Sequence, residues 1–347
     1  MQFINWLKLF VIRGIFALLA LILASYVLLV LINWQDEAPS DDSVFMQQLV
    51  WQQRPIPDSQ NGYQYWQRQT ALLPAVSADF TKIFSRCEIL ECLLQLDDPQ
   101  SQLGELLKNH QSLLMFYKRL LDFDHWHEPL PSWPIEFPNF TQLSNGQKLM
   151  LAQAWLYQQQ GETAIAQQLL AQDFRFWRKV LPANRVLLSK MISASALKTQ
   201  LTFAAMLQSQ LNTEQFNRLS VPDWFVALTP QELNIQQLFA GEWHYVQSAL
   251  TKNLFSPNTE ESLSEKLLMT VLVKPFLQLQ ATNNNSASQY LACSERVPVS
   301  VTYIWYQWLY NPVGKALNSN LLDSCQFYTA RLYELQPLVR DIIGSGS

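Results

Sequence analysis

The chain has 347 residues, of which 49% are hydrophobic, 12% aromatic and only 15% charged, with a formal net charge of −4; it is long and apolar enough for a large core, which excludes a disordered or tail-like protein. No Lys/Arg cluster tracks phosphates, so nucleic acid is not an expected partner. Nine glycines argue against Rossmann sheets, P-loops and glycine-rich barrels and for a mainly α-helical fold with short turns.

Residues 1–13 form a short N-terminus carrying Lys8 and Arg13. Residues 14–35 carry no charge, and GIFALLALILASYVLLVLINW supplies about the 20 residues that a bilayer-crossing helix requires. Trp6 and Trp34 fall near its ends, where amphipathic rings favour the headgroup region. Asp36, Glu37, Asp41 and Asp42 follow before the next basic residue, Arg54, so the positive-inside rule predicts a cytoplasmic N-terminus and an exported remainder. A cleaved signal peptide is the rival reading, but the apolar run exceeds a signal core and no small-x-small site follows it.

The exported part holds 22 basic and 28 acidic residues, a net of −6, and all four cysteines, Cys87, Cys92, Cys293 and Cys325. An even number in an oxidising compartment predicts disulfides. Spacing favours Cys87 with Cys92 and Cys293 with Cys325, while four cysteines allow three connectivities. CEILEC lacks the C-x2-C spacing of a zinc site, and neither metal nor cofactor is expected.

Residues 36–65 are expected to form an acidic spacer and a neck, with two prolines and an Asn-Gly pair in RPIPDSQNGY. In the first helical part, 66–128, Asp98 as cap and Pro99 at the first position open a long helix predicted over 99–122. Prolines at 129, 131, 134 and 138 make 129–138 an extended connector and the main internal boundary. The main helical domain, 139–343, begins with two helices turning at Gly161; Ala154 and Ala166 are small where the helices approach and Tyr157 and Leu170 fill the groove, a spacing like one tetratricopeptide-repeat (TPR) hairpin. Only one such unit is clear, so a hairpin within a larger helical fold is expected.

Thr229, Pro230 and Glu232 predict a capped helix over 230–253, Asn258 with Glu261 another start, and 283–286 a polar loop. The segment 297–310 alternates like a strand in its first half and reads as buried helix in its aromatic half. A helix over 328–343 closes the chain, and GSGS at 344–347 reads as an appended flexible linker.

The densest polar cluster is DFDHWHE, with Asp122, Asp124, His125, His127 and Glu128 offering imidazole and carboxylate groups for acid/base or ligand roles. Its plain reading is a solvated helix end. H-x-H turns its rings to opposite sides of an extended chain, so a shared metal would need a distant ligand. Ser195 and Lys198 form S-x-x-K, the spacing of serine penicillin-interacting enzymes, but that family's S-D-N and K-T-G elements are missing. G-x-S-x-G, H-E-x-x-H and P-loop signatures are likewise missing. FRFWRKVL at 174–181 sets Arg175, Trp177 and Arg178 on a basic and aromatic helix, a candidate partner-binding face; snorkelling over a core is its plain reading. Trp155, Trp177, Trp224, Trp243 and Trp308 lie among apolar residues, where core packing is the default.

The anchor, PDSQNGYQYW (57–66), DFRFWRKVL (173–181), SKMISASAL (189–197), LFSPNTE (254–260) and YNPVGKAL (310–317) together resemble a group of uncharacterised single-pass inner-membrane proteins of Gram-negative bacteria. The stretch after NGY departs from the more apolar, glycine-containing one expected of that group. The resemblance implies a helical domain facing the periplasm and carries over no catalytic residue.

These features lead to an expected membrane-tethered interaction protein: an accessory, scaffold or chaperone-like subunit whose partner is another envelope or membrane protein and whose bilayer contact is 14–35. The alternative is a tethered periplasmic enzyme acting on cell-wall or glycan material through the 122–128 cluster or through Ser195 and Lys198. A ligand sensor ranks third, because 13 residues before the anchor are too few to signal by themselves.

Overall fold

The computed structural model describes residues 2–52, 56–84, 87–132, 139–255, 262–295, 302–319 and 321–345. These are mainly helical. In chain order the α-helices are α1 (Gln2–Ile32), α2 (Asp41–Trp51), α3 (Gly62–Thr70), α4 (Ala78–Phe84), α5 (Ile89–Leu94), α6 (Pro99–Asn109), α7 (Gln111–Leu121), α8 (Phe140–Gln159), α9 (Thr163–Ala183), α10 (Leu187–Gln210), α11 (Thr213–Leu219), α12 (Gln236–Phe255), α13 (Leu263–Leu268), α14 (Leu279–Ser294), α15 (Pro312–Asn318), α16 (Leu321–Tyr333) and α17 (Leu335–Ser345). Among the described residues the sole β-pairing is an isolated bridge, Asn61 with His125.

The chain forms two compact units. One comprises residues 1–48 and 245–324, the other 49–244 and 325–347. Residues on both sides of the proline-rich 129–138 therefore fall in the same unit, instead of parting there. Its described prolines do run without helix, and residues 133–138 lie outside the described set.

In the first unit, Phe10–Ile32 of α1 is long and apolar enough to cross a membrane. Its C-terminal end is knotted into the rest of the unit by side-chain amides. Asn33 donates from Nδ2 to the Leu309 carbonyl at 2.8 Å, and its Oδ1 accepts from the Asn311 N–H at 2.7 Å. Its own carbonyl accepts from the Gln278 amide. Asn311 stands in the left-handed region at φ 49°, a conformation open to Asn more readily than to most residues. Its Oδ1 accepts from the N–H groups of Gln278 (2.9 Å) and Gly314 (3.2 Å), and the latter bond caps α15.

Asp36 caps α14 in the same way, accepting from the N–H groups of Gln280 (2.8 Å) and Ala281 (2.9 Å). A carboxylate here meets both the unpaired donors and the positive end of the helix dipole. Residues 283–286 are helical, correcting the expected loop. Asn283, Asn284 and Ser286 are buried, and Asn284 bonds the Ser40 N–H (2.9 Å) and the Ala38 carbonyl (2.9 Å). Polar residues that look like loop in sequence are internal connectors. The Asn258/Glu261 start lies outside the described residues; Ser262 with Glu265 forms the capping box of α13 instead.

In the second unit α8 and α9 pack against each other across a turn at Gly161, whose φ of +81° favours glycine. α7 and α10 pack beside it. Inside, Trp177 donates to the Tyr117 hydroxyl at 2.8 Å, Tyr117 donates to Asp173, and Gln147 donates to Asp173 at 2.9 Å. A Cβ on Gly146 would fall 2.7 Å from the Tyr117 ring, so glycine admits that ring against α8.

The predicted single helix over 99–122 is broken at His110. The His110 Nδ1 bonds the Leu106 carbonyl (2.9 Å) while Nε2 accepts the Ser77 N–H (3.1 Å), so the ring serves another segment and the backbone leaves the helix. The predicted neck also contributes core: Asn61 and Tyr63 are buried beside Trp66 of the first helical part. The helix expected from 230 starts only at Gln236. Thr229 and Glu232 do make the capping bonds. However, Lys190 takes the carbonyls of Glu232 and Asn234 (both 3.2 Å), acceptors that a helix would have used. Of 297–310, residues 297–301 lie outside the described set, and Trp305–Leu309 is a 3-10 helix.

Asn311→Ala removes a residue tolerant of positive φ and the acceptor for two N–H groups, an expected loss of about 2–4 kcal/mol. Thermal unfolding of the detergent-solubilised chain should show a clear drop, with Asn311→Gly between the two. Wild-type stability in the alanine variant would contradict the knot.

Candidate functional site

Three places in the second unit gather polar side chains. The first is the 122–128 segment. Asn61 pins it as a short extended strand: Gly62 N–H donates to the His125 carbonyl (2.9 Å), His127 N–H donates to Asn61 Oδ1 (2.9 Å), and Asn61 Nδ2 donates to the His127 carbonyl (2.8 Å). Lys179 donates to the Phe123 carbonyl and Gln172 to Asp122 (3.0 Å), which lays the segment against α9.

The segment divides by burial. Asp122, Asp124 and His125 are exposed and line an open pocket of about 390 Å³ with Arg119. Trp126 enters an aromatic cluster with Tyr63, Trp66 and Phe176. His127 is half-buried, and burial and then the Arg185 charge hold its imidazole below the usual range. The two histidines therefore stand in different surroundings. Among the described residues no group of three His, Cys, Asp or Glu side chains is placed to hold a metal.

The second place is the N-terminal end of α10, where sequence reasoning singled out Glu128 but missed its partners. α10 has no side-chain cap of its own. Two carboxylates from distant segments supply one: Glu128 Oε2 accepts the Arg185 N–H at 2.8 Å, and Glu242 Oε1 accepts the Leu187 N–H at 2.6 Å. Such pairing satisfies donors that a helix start leaves open and opposes its dipole. The Trp126 indole donates to the other Glu128 oxygen at 3.2 Å. Burial pushes the Glu128 carboxyl up to about 6, against the hydrogen bonds from Arg185, Ser189, Trp126 and Val186 that favour its anion.

Lys190, one turn on, is 1% exposed and donates to the carbonyls of Leu181 (2.6 Å), Glu232 and Asn234. Burial pushes its amine down to about 7, against the pull of Glu128 and Glu232. Arg185 is buried too. Its Nη2 has no hydrogen-bond partner, and the nearby Glu128 charge supports the cation. A Cβ on Gly241 would fall 2.0 Å from the Arg185 carbonyl oxygen, so this glycine is what lets α12 approach. The signal for Glu242 and Gly241 in sequence is slight: neither sits in a spacing that names a distant helix end.

The third place is an open pocket of about 650 Å³ beside the Cys87–Cys92 disulfide. The cysteine Cα atoms stand 5.5 Å apart, ordinary for a disulfide. Asp79, Asp97 and Glu105 face Lys82 across this pocket, leaving it net acidic. Cys293 is disulfide-bonded as well, while the side chain of Cys325 lies outside the described residues.

The remaining candidates are dispersed. Ser195 and Lys198 are exposed on α10, and Lys198 lies 3.8 Å from Glu334 on the surface. Arg175, Trp177 and Arg178 do not make one exposed face. Trp177 is 1% exposed in the core network; Arg178 grips both oxygens of Glu232 (2.6 and 2.8 Å) and the carbonyls of Val226 and Ala227. Arg175 alone of the three is exposed, paired with Asp223 at 2.5 Å. Trp177 thus follows its core-packing reading, and Arg178 leaves the candidate face because the 223–232 segment, which helix spacing does not reveal, supplies its partners.

The chain matches no described protein family, no curated protein and no solved structure.

Burial also pushes the Asp173 carboxyl up to about 6. Glu128 and Asp173 thus keep protons in the folded chain that the unfolded chain releases at lower pH, so their stabilisation is full below pH 4 and is lost as pH rises through about 6. Lys190 has the opposite sign, losing its contribution as pH falls from 10.5 through about 7, and is flat across the carboxyl window. The Glu128 share is about 2 kcal/mol. Denaturant unfolding of Glu128→Gln should therefore show a shallower loss between about pH 4.5 and pH 6.5 than wild type. An unchanged slope would show that Glu128 titrates as if exposed.

Proposed function

We propose that this protein is a membrane-tethered interaction protein, an accessory, scaffold or chaperone-like subunit of a cell-envelope assembly. In this reading α1 spans the inner membrane with its N-terminus in the cytoplasm, the bulk of the chain lies in the periplasm, and the α8–α9 hairpin is a TPR-like scaffold element. The acidic distribution after the anchor and the disulfide Cys87–Cys92 support that side of the membrane.

The observation that carries the reading is the pocket beside that disulfide. It is open and concave, and it sets three exposed carboxylates, Asp79, Asp97 and Glu105, against one lysine. A basic segment of another envelope protein fits such a surface, because opposite charge steers the encounter and fixes register.

The test is affinity purification of the tagged full chain from native membranes in mild detergent, comparing wild type with Asp97→Lys/Glu105→Lys. Both positions are exposed, where substitutions shift stability by about 0.5 kcal/mol or less. The expected result is a stoichiometric envelope partner on wild type that is lost from a normally folded variant. A wild-type chain that carries no partner, or a variant that keeps it, would overturn the assignment.

A second reading, a tethered enzyme acting on cell-wall or glycan material, is favoured by one observation: Asp124 and His125 share the 390 Å³ pocket with Asp122 and Arg119. Alanine at Asp124 and His125 should then abolish function in cells while the domain melts normally. Full function in that variant would end this reading.

A further inference from the structure

Beyond α1, a second part of the first unit carries an apolar face. Leu263 is 85% exposed and Leu267 65%, with Leu268, Val271 and Leu272 exposed beside them. They recur at intervals of about four along α13 and the π-helical turn Met269–Val273, one continuous stripe. Trp305, 76% exposed, Ile304 and Tyr306 add a second exposed apolar group on the 3-10 helix.

Their level relative to the span is fixed by contacts within the unit. The Tyr26 hydroxyl donates to the Val271 carbonyl at 2.9 Å, and the Tyr26 ring meets Phe276 edge-on at 5.7 Å. Tyr26 lies six residues before the end of the apolar stretch at Ile32, about 9 Å along the helix axis at 1.5 Å per residue. Val271 therefore sits well inside the thickness that α1 crosses. Asn33 bonds the Leu309 carbonyl, which puts the Trp305–Leu309 turn at the end of the span, where Trp and Tyr favour the headgroup region.

We propose that residues 263–276 form a membrane-embedded segment that lies in the leaflet at the C-terminal end of α1, with its leucine face in contact with lipid acyl chains and Trp305 and Tyr306 at the headgroups. Two features fit hydrocarbon rather than water. A tyrosine hydroxyl inside the bilayer needs a partner, and a π-turn leaves carbonyls without their helical donors; the Tyr26–Val271 bond answers both. The charged residues of the segment, Glu265, Lys266 and Lys274, stand toward its two ends, and long basic side chains there can reach the headgroups. An apolar face with a polar opposite side is the pattern of helices that lie in one leaflet.

The inference rests on α1 spanning a membrane. The test uses the full chain in vesicles of phosphatidylethanolamine and phosphatidylglycerol doped with a phospholipid bearing a diazirine on its acyl chain. After irradiation, adducts are mapped by mass spectrometry. The expected result is labelling within 263–272 as well as within Phe10–Ile32, and loss of the 263–272 adducts in Leu267→Glu/Leu268→Glu with α1 still labelled. Labelling confined to α1 would overturn this inference alone, whereas no labelling of α1 would overturn the anchor with it. In native membranes carrying the same lipid, replacement of the 263–272 adducts by cross-links to another protein would assign the face to a protein partner and refute the lipid contact.

Discussion

An α-helix leaves four backbone donors open at one end and four acceptors at the other, and this chain satisfies such ends with side chains that arrive from far away in sequence. With nine glycines, the common left-handed glycine stop is rarely available; among the described residues positive φ occurs at Gly161 and Asn311. Elsewhere amides and carboxylates do the work: Asn33 and Asn311 at the end of α1 and the start of α15, Asp36 at the start of α14, Glu128 and Glu242 at the start of α10. Apart from the local Asn311–Gly314 bond, each of these joins two distant segments, so capping and tertiary structure are the same interaction there.

No flexible linker follows α1: the carbonyl and side chain of Asn33 are bonded to Gln278, Leu309 and Asn311, and Asp36 continues the junction into α14. Within the first unit, the contacts that Asn33, Gln278 and Asn311 make at the end of α1 are buried. Such contacts are costly to break singly, because each partner would be left unpaired away from water. The same junction, with the Tyr26–Val271 bond, holds 263–272 beside α1.

The elements legible in sequence were those set by local chemistry: the uncharged run of α1, Asp98 and Pro99 opening α6, the Gly161 turn, and the close pair of cysteines. The misreadings share one cause. His110 breaks a helix because its ring is used by Ser77; the 230–234 segment is kept from helix by Lys190; Asn283, Asn284 and Ser286 look like a loop but are buried, with Asn284 bonding Ser40 and Ala38. In each case a partner distant in sequence decides, and local spacing holds no record of it. The site candidates follow the same rule: Trp177 and Arg178 were read from helix spacing alone, whereas Tyr117 and Glu232 draw them inside.

The most direct test of this account is hydrogen exchange on the full chain in lipid nanodiscs, read at the amides of Gln278, Gln280, Ala281, Asn311 and Gly314, whose acceptors are the side chains of Asn33, Asp36 and Asn311. The account predicts protection close to that of the α14 interior, and its loss at Gln280 and Ala281 in Asp36→Ala. Exchange of these amides at the rate of an unstructured loop would mean that α1 ends in a free linker and that the junction does not hold.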